Sequence, residues 1–347
     1  MVRSTSLALM ILTPALCAAQ GRPTLVPVPV AAPLALLDFK LDIAAPLVVH
    51  PSGCVALFDD DANQVVCIDP TSGTTHRFGR QGEGPGEFRS TRSMTTTPDG
   101  GMVVIDWKNS RSTTITRDWK LGITTPLTQN LTVVRPATAD SILALGGKRG
   151  YELLSVSLRD GKSAVRFAPA LGDSAGIFQG PHDYDYGFWL APRKGGGWFV
   201  VSPWKYQILI EDEHGIKRST FGRTLPPELP SPREVIEMRT WMAKANPRAL
   251  ATVDRLTAEW AKTPKAVIPH APAVDGDGRL WVVTGRVRAD STELDAFDAG
   301  GKFLGTFRVP GAVNAMAIRG NDLDLIVEFL SGENDGAQGV LHYRIRS

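Results

Sequence analysis

Only three cysteines and six histidines occur among the 347 residues. Cys17, Cys54 and Cys67 lack the spacing of a zinc knuckle or a redox pair. No apolar run is long enough to span a bilayer. The formal net charge of +2 gives no global attraction to nucleic acid. Neither a G-x-S-x-G elbow nor an H-E-x-x-H helix motif is present, so the commonest hydrolase signatures are missing. What is present is a mixed composition, 43% hydrophobic and 21% charged, which is that of a folded chain and not a disordered one.

The first residues, MVRSTSLALMILTPALCAAQ, have secretory grammar. Arg3 is the charged start, Leu7 to Leu16 the short apolar stretch, and Cys17-Ala18-Ala19 a small-residue cleavage site. The expectation is a signal peptide over 1–19, export to the periplasm or beyond, and a flexible extended leader over 20–33. A lipid anchor at Cys17 is the rival, disfavoured because Leu16 is large where a small residue belongs. In an exported chain Cys54 and Cys67 meet disulfide-permissive conditions on neighbouring strands. Bridged and reduced states both stay open, since a diagonal register can hold the Cβ atoms apart.

The chain repeats in its punctuation. Short turns recur at 50–53 (HPSG), 97–101 (TPDGG), 138–141 (TADS), 193–197 (RKGGG), 275–279 (DGDGR) and 319–322 (RGND). Each precedes an apolar, β-branched run such as MVVID or LWVVT. A second turn series follows at 69–73, 118–122, 159–162, 212–215 and 298–302. The implied unit is four short antiparallel strands, six times over: an all-β six-bladed β-propeller spanning 34–347. The sixth unit lacks its last strand, and LALLDFKLD, 34–42, is the expected donor that closes the ring.

RFGRQGEGPGEF, 77–88, falls between the first two units. No Lys-Ser/Thr follows it and no helix start is near, so a phosphate loop is excluded. It reads as an inter-blade crossing in which glycines turn the chain and Phe88 plugs between blades. Its G-x-x-G-x-G-P-G-E-F pattern, Gly79 to Phe88, resembles that of secreted bacterial six-bladed β-propellers related to NHL-repeat proteins. AVDGDGRLWVV and DAFDAGGKFLGTFRVP resemble blade phrases of the same group. The resemblance implies the fold and leaves the activity open, because such propellers include lactonases, lyases, glycan binders and scaffolds.

In a four-stranded blade the first and third turns share one face, here all short. The opposite face collects the long segments 79–90, 172–187, 222–270, 285–292 and 330–339. Within 224–268, between blades 4 and 5, Ser231-Pro232-Arg233-Glu234 is a capping box that starts a helical hairpin. Its faces, Val235, Met238, Trp241, Met242 and Ala245, then Leu250, Val253, Leu256 and Trp260, must bury on the rim or over the channel.

The second-turn loops carry the candidate ligand-binding residues: Trp107, Lys108, Arg111, Lys148, Arg149, Tyr151, Trp204, Lys205, Tyr206, Arg286 and Arg288. Acids at 59–61 and at Glu333 and Asp335 oppose them, so the face is expected to be polarised. His182, Asp183 and Asp185, with His270, form a candidate calcium or zinc site, although their spacing matches no metal signature. The first functional expectation is an exported monomer that binds a peptide, glycan or partner protein through this face. The alternative is a metal-dependent hydrolase, lactonase or lyase at the channel mouth.

Overall fold

The computed structural model describes residues 22–39, 41, 46–129, 131–146, 152–167, 188–245 and 247–347. The expected signal peptide and the cluster at 182–185 lie outside these residues. Six four-stranded antiparallel sheets form a six-bladed β-propeller. Blade 1 runs Val48–Val49, Val55–Asp59, Gln64–Ile68 and Thr75–Phe78. Blade 2 runs Thr91–Thr96, Met102–Asp106, Arg111–Ile115 and Leu121–Pro126. Blade 3 comprises Thr132–Thr138, Ser141–Gly146, Glu152–Ser157 and Ser163–Phe167. Blade 4 comprises Trp189–Pro192, Trp198–Val201, Gln207–Glu211 and Lys217–Gly222. Blade 5 comprises Ala273–Val274, Leu280–Arg288, Ser291–Phe297 and Phe303–Pro310, and blade 6 Ala312–Arg319, Asp322–Glu328 and Gln338–Arg346.

Strand periodicity builds the core. Met102 and Val104 point toward blade 1, among Ala56, Phe58 and Cys67. Val103 and Ile105, one residue out of phase, meet Ile142, Ala144 and Val156 of blade 3. Both faces of these middle strands are therefore buried. Each fully buried aliphatic side chain contributes about 1.5–3 kcal/mol.

Blade 6 takes its fourth strand from Thr24–Val28, which pairs antiparallel with Gln338–Arg346, Thr24 opposite Arg346 and Val28 opposite His342. The ring is closed by an N-terminal strand, but this one lies in the stretch read as a leader rather than at 34–42. Pro27 suits the outermost position, where its missing N–H costs no ladder bond. The apolar residues of 34–42 serve differently. Leu34 and Leu41 are buried between blades 6 and 1 with Leu37 and Phe39 beside them, after a short helix at Ala32–Ala35.

The glycine-rich crossing is architecture. Phe88 is fully buried, edge-on to Phe58 at 6.0 Å. Gly79 has φ +94, and a Cβ there would fall 2.4 Å from the Phe88 ring. Arg111 fastens the loop by donating to the carbonyls of Glu83 (2.5 Å), Gly84 (2.8 Å) and Glu87 (2.6 Å).

Cys54 and Cys67 form a disulfide with Cα atoms 5.6 Å apart. Cys67 stands opposite Ala56, so the bridge is diagonal across the ladder. Closing a loop of this size contributes about 3 kcal/mol in the chain-entropy account.

Candidate functional site

The long-looped face is more ordered than its sequence suggests. The 285–292 stretch is no loop: it is the tip of a hairpin whose strands reach Arg288 and Ser291. Ala289 and Asp290 both adopt positive φ (46° and 61°), the two-residue turn whose twist matches that of the strands. The capping box forms as expected, Ser231 N–H donating to Glu234 Oε2 at 2.7 Å and Glu234 N–H to Ser231 Oγ at 3.2 Å. Helices follow over Pro232–Ala245 and Leu250–Trp260. Val253 and Thr257 are buried on the second helix, while Ile236, Trp241 and Leu250 stay exposed.

This insertion is braced on three blades. Val267 and Ile268 N–H donate to the Pro203 carbonyl of blade 4 at 2.7 and 3.0 Å. Glu228 receives both arginines of the blade 5 hairpin, Arg286 at 3.3 Å and Arg288 closer still. Arg233 reaches Glu328 and Asp335 of blade 6, each at 3.0 Å. These pairs are partly exposed and individually worth about 0–1 kcal/mol, but their spread fixes the insertion's placement. They also neutralise charges expected to polarise the face. Arg286, Arg288 and Asp335 are all engaged.

The remaining candidates separate into two groups. Lys108, Lys205 and Trp107 are exposed, and Trp204 is half-buried beside them on the blade 4 turn. Arg111 is occupied by the 83–87 carbonyls. Tyr206 is buried, and its hydroxyl donates to the fully buried Asp295 of blade 5. Arg223 binds the same carboxylate at 2.5 Å, and Thr306 donates to its other oxygen at 2.6 Å. Sequence reasoning missed this latch, because Asp295 sits mid-strand in an apolar run. Lys148, Arg149, Tyr151, His182, Asp183 and Asp185 lie outside the described residues.

His270 is placed just before the inner strand of blade 5. Burial drives its pKa to about 4, against an opposing hydrogen bond with the Val313 backbone. The ring is thus neutral at physiological pH, which suits a ligand or a base. Among the described residues no group of three or more His, Cys, Asp or Glu side chains could hold a metal.

The junction of blades 3 and 4 holds two unusual charges. Glu211 is 1% exposed, and its Oε2 has no hydrogen-bond partner. Burial, then the Asp212 charge, raises its pKa to about 7, and Lys217 opposes the rise. Arg135, on the inner strand of blade 3, has its pKa lowered by burial.

The Glu211 shift has a definite sign. The folded state holds a proton that the unfolded chain releases near 4.5. The resulting stabilisation is complete below 4.5 and is lost as pH rises through 7, up to about 3 kcal/mol. Glu211→Gln should therefore keep at pH 8 the margin that the parent protein loses between pH 5 and 8. Parallel thermal melts at both pH values check this.

No protein-family model matches the chain, and no curated relative matches it. Solved structures do. A member of the duf4221 family from Bacteroides vulgatus is 13% identical with a TM-score of 0.55, covering 94% of this chain and 99% of that one. A luciferin-regenerating enzyme gives 12% and 0.52 over 94% and 97%. The calcium-binding protein regucalcin from Agrobacterium tumefaciens gives 11% and 0.51 over 92% and 96%. At these identities the likeness establishes the propeller fold alone. No helix among the described residues is long and apolar enough to cross a membrane.

Proposed function

We propose that this chain is an exported binding propeller, of the NHL-related kind, that recognises a peptide, glycan or partner protein on its long-looped face. The observation that carries the reading is the construction of that face. A helical insertion is braced on blades 4, 5 and 6, next to an extended hairpin, whereas the opposite face has short turns. Rigid placement lowers the entropy lost on binding. Exposed Lys108 and Lys205, with Trp107 and Trp204, supply hydrogen bonds and flat apolar area. Secretory grammar at 1–19 supports export.

The test is a binding screen of the purified protein against peptide and glycan arrays, followed by paired substitutions. Lys108→Glu with Lys205→Glu is expected to weaken the selected ligand about tenfold or more. Lys120→Glu with Lys302→Glu, exposed on the opposite face, should leave it unchanged. Equal losses from both pairs would count against the reading.

His270 supports a second reading, a metal-dependent hydrolase, lactonase or lyase at the channel mouth. Its ring is neutral and bonded through the Val313 backbone, as an oriented ligand needs to be. Stoichiometric metal in protein purified without chelator, lost in His270→Ala, would favour it over the first.

A further inference from the structure

The innermost strands of the six blades surround the axial channel, and their ionisable residues are one-sided. Val48–Val49, Thr91–Thr96, Thr132–Thr138, Trp189–Pro192, Ala273–Val274 and Ala312–Arg319 contain Arg92, Arg135 and Arg319, with no aspartate or glutamate. Arg319 is accounted for: it lies at the short-turn end and donates to the Pro51 carbonyl at 3.0 Å. Arg135 is not. Its side chain makes no hydrogen bond or ion pair with any described residue, although it is only partly exposed.

Position explains where this guanidinium goes. Arg135 stands directly opposite Leu143, and the ladder is bulged on both sides of the Arg135-Pro136 step. Paired residues project to the same face of a sheet. Leu143 packs with Leu190, Val200 and Leu209, so Arg135 leaves its strand at the junction of blades 3 and 4, on the channel side. Pro136 carries no N–H, which an inner edge strand tolerates. The neighbouring carboxylate, Glu211, does not compensate the arginine. Its pKa is raised, and the cation acting on it is Lys217.

A guanidinium does not shed its proton, so a desolvated one without a counter-charge is costly unless an anion completes it. Its planar fork fits a carboxylate in bidentate fashion. The surrounding side chains are leucines, which accept an apolar tail and offer nothing to a highly hydrated ion.

We propose that Arg135 is the anchor of a site for a small organic carboxylate, whose head pairs with the guanidinium while its apolar body packs on Leu143 and Leu190. The site lies on the channel wall at the blade 3–blade 4 junction and does not depend on the loop-face reading above.

The test uses the full-length mature protein, with butyrate, benzoate and inorganic phosphate as probes in titration calorimetry and thermal melts. Butyrate or benzoate is expected to bind and to raise the melting temperature. Arg135→Gln should weaken that binding about tenfold or more, and Arg135→Lys, which keeps charge without the fork, should weaken it by less. In the absence of probe, Arg135→Gln should melt at or above the parent temperature, because an uncompensated charge has been removed. A fall in the unliganded melting temperature would instead reveal an internal partner and overturn the proposal. So would binding unaffected by Arg135→Gln, binding of phosphate alone, or no binding of either carboxylate.

Discussion

Arg279→Met is expected to lower stability by about 3–5 kcal/mol, roughly 10 °C in melting temperature. Arg279 is 1% exposed and lies under the first turn of blade 5. Its Nε donates to Asp275 Oδ2 and its Nη2 to Asp277 Oδ2, both at 2.6 Å. Its Nη1 reaches the Ser347 hydroxyl at 3.2 Å, tying the end of blade 6 to blade 5. Asp275 is equally buried and also accepts from the Trp281 indole at 2.8 Å. Methionine fills the volume but leaves the Asp275 carboxylate in the interior without its cation. That uncompensated charge, not lost packing, produces most of the cost. Adding Asp275→Asn to Arg279→Met should therefore recover part of the loss, which thermal or urea melts of the two variants measure. A double variant less stable than the single one would assign the effect to packing.

The six units were legible because each blade repeats the same two demands, a tight turn and a two-faced strand. Glycine and aspartate mark the first demand, and β-branched runs mark the second. The closing strand was not legible, since TLVPV is short and contains a proline. Only the outermost place in a sheet accepts such a sequence, and membership of that place is set by residues more than 300 positions away. LALLDFKLD misled for the converse reason: a period suited to a strand also suits a segment packed beneath two blades.

The site was legible to a smaller extent. Exposed charge at a turn is visible in sequence, but its partner is not. Arg286 and Arg288 were identifiable as loop-face cations, yet their engagement with Glu228 depends on how the insertion folds back over 60 residues. Arg279 reads as a solvated turn residue in DGDGR until the fold buries it. Arg135 gave no signal, because a single arginine in TVVRPAT has no periodicity to betray which side it faces.

Asp295→Ala is expected to cost about 3 kcal/mol, and its coupling to Tyr206 decides what Tyr206 is for. Burial, then the Asp295 charge, holds the Tyr206 pKa well above its ordinary value, so the phenol stays protonated and donates. Arg223, partly exposed over the Phe303 ring at 4.5 Å, supplies the counter-charge. Removing the carboxylate strands both donors at the blade 4–blade 5 junction. Tyr206→Phe alone should cost less, about 1–2 kcal/mol, because Arg223 and Thr306 still satisfy Asp295. In the double variant the two costs should not add, since the phenol has already lost its acceptor. Tyr206 sits on the same turn as Trp204 and Lys205, which gives the cycle a functional readout. If Tyr206 only latches the blades together, Tyr206→Phe loses stability and keeps ligand affinity when binding is measured well below the melting temperature. A drop of about tenfold in affinity at unchanged stability would place the phenol on the ligand instead.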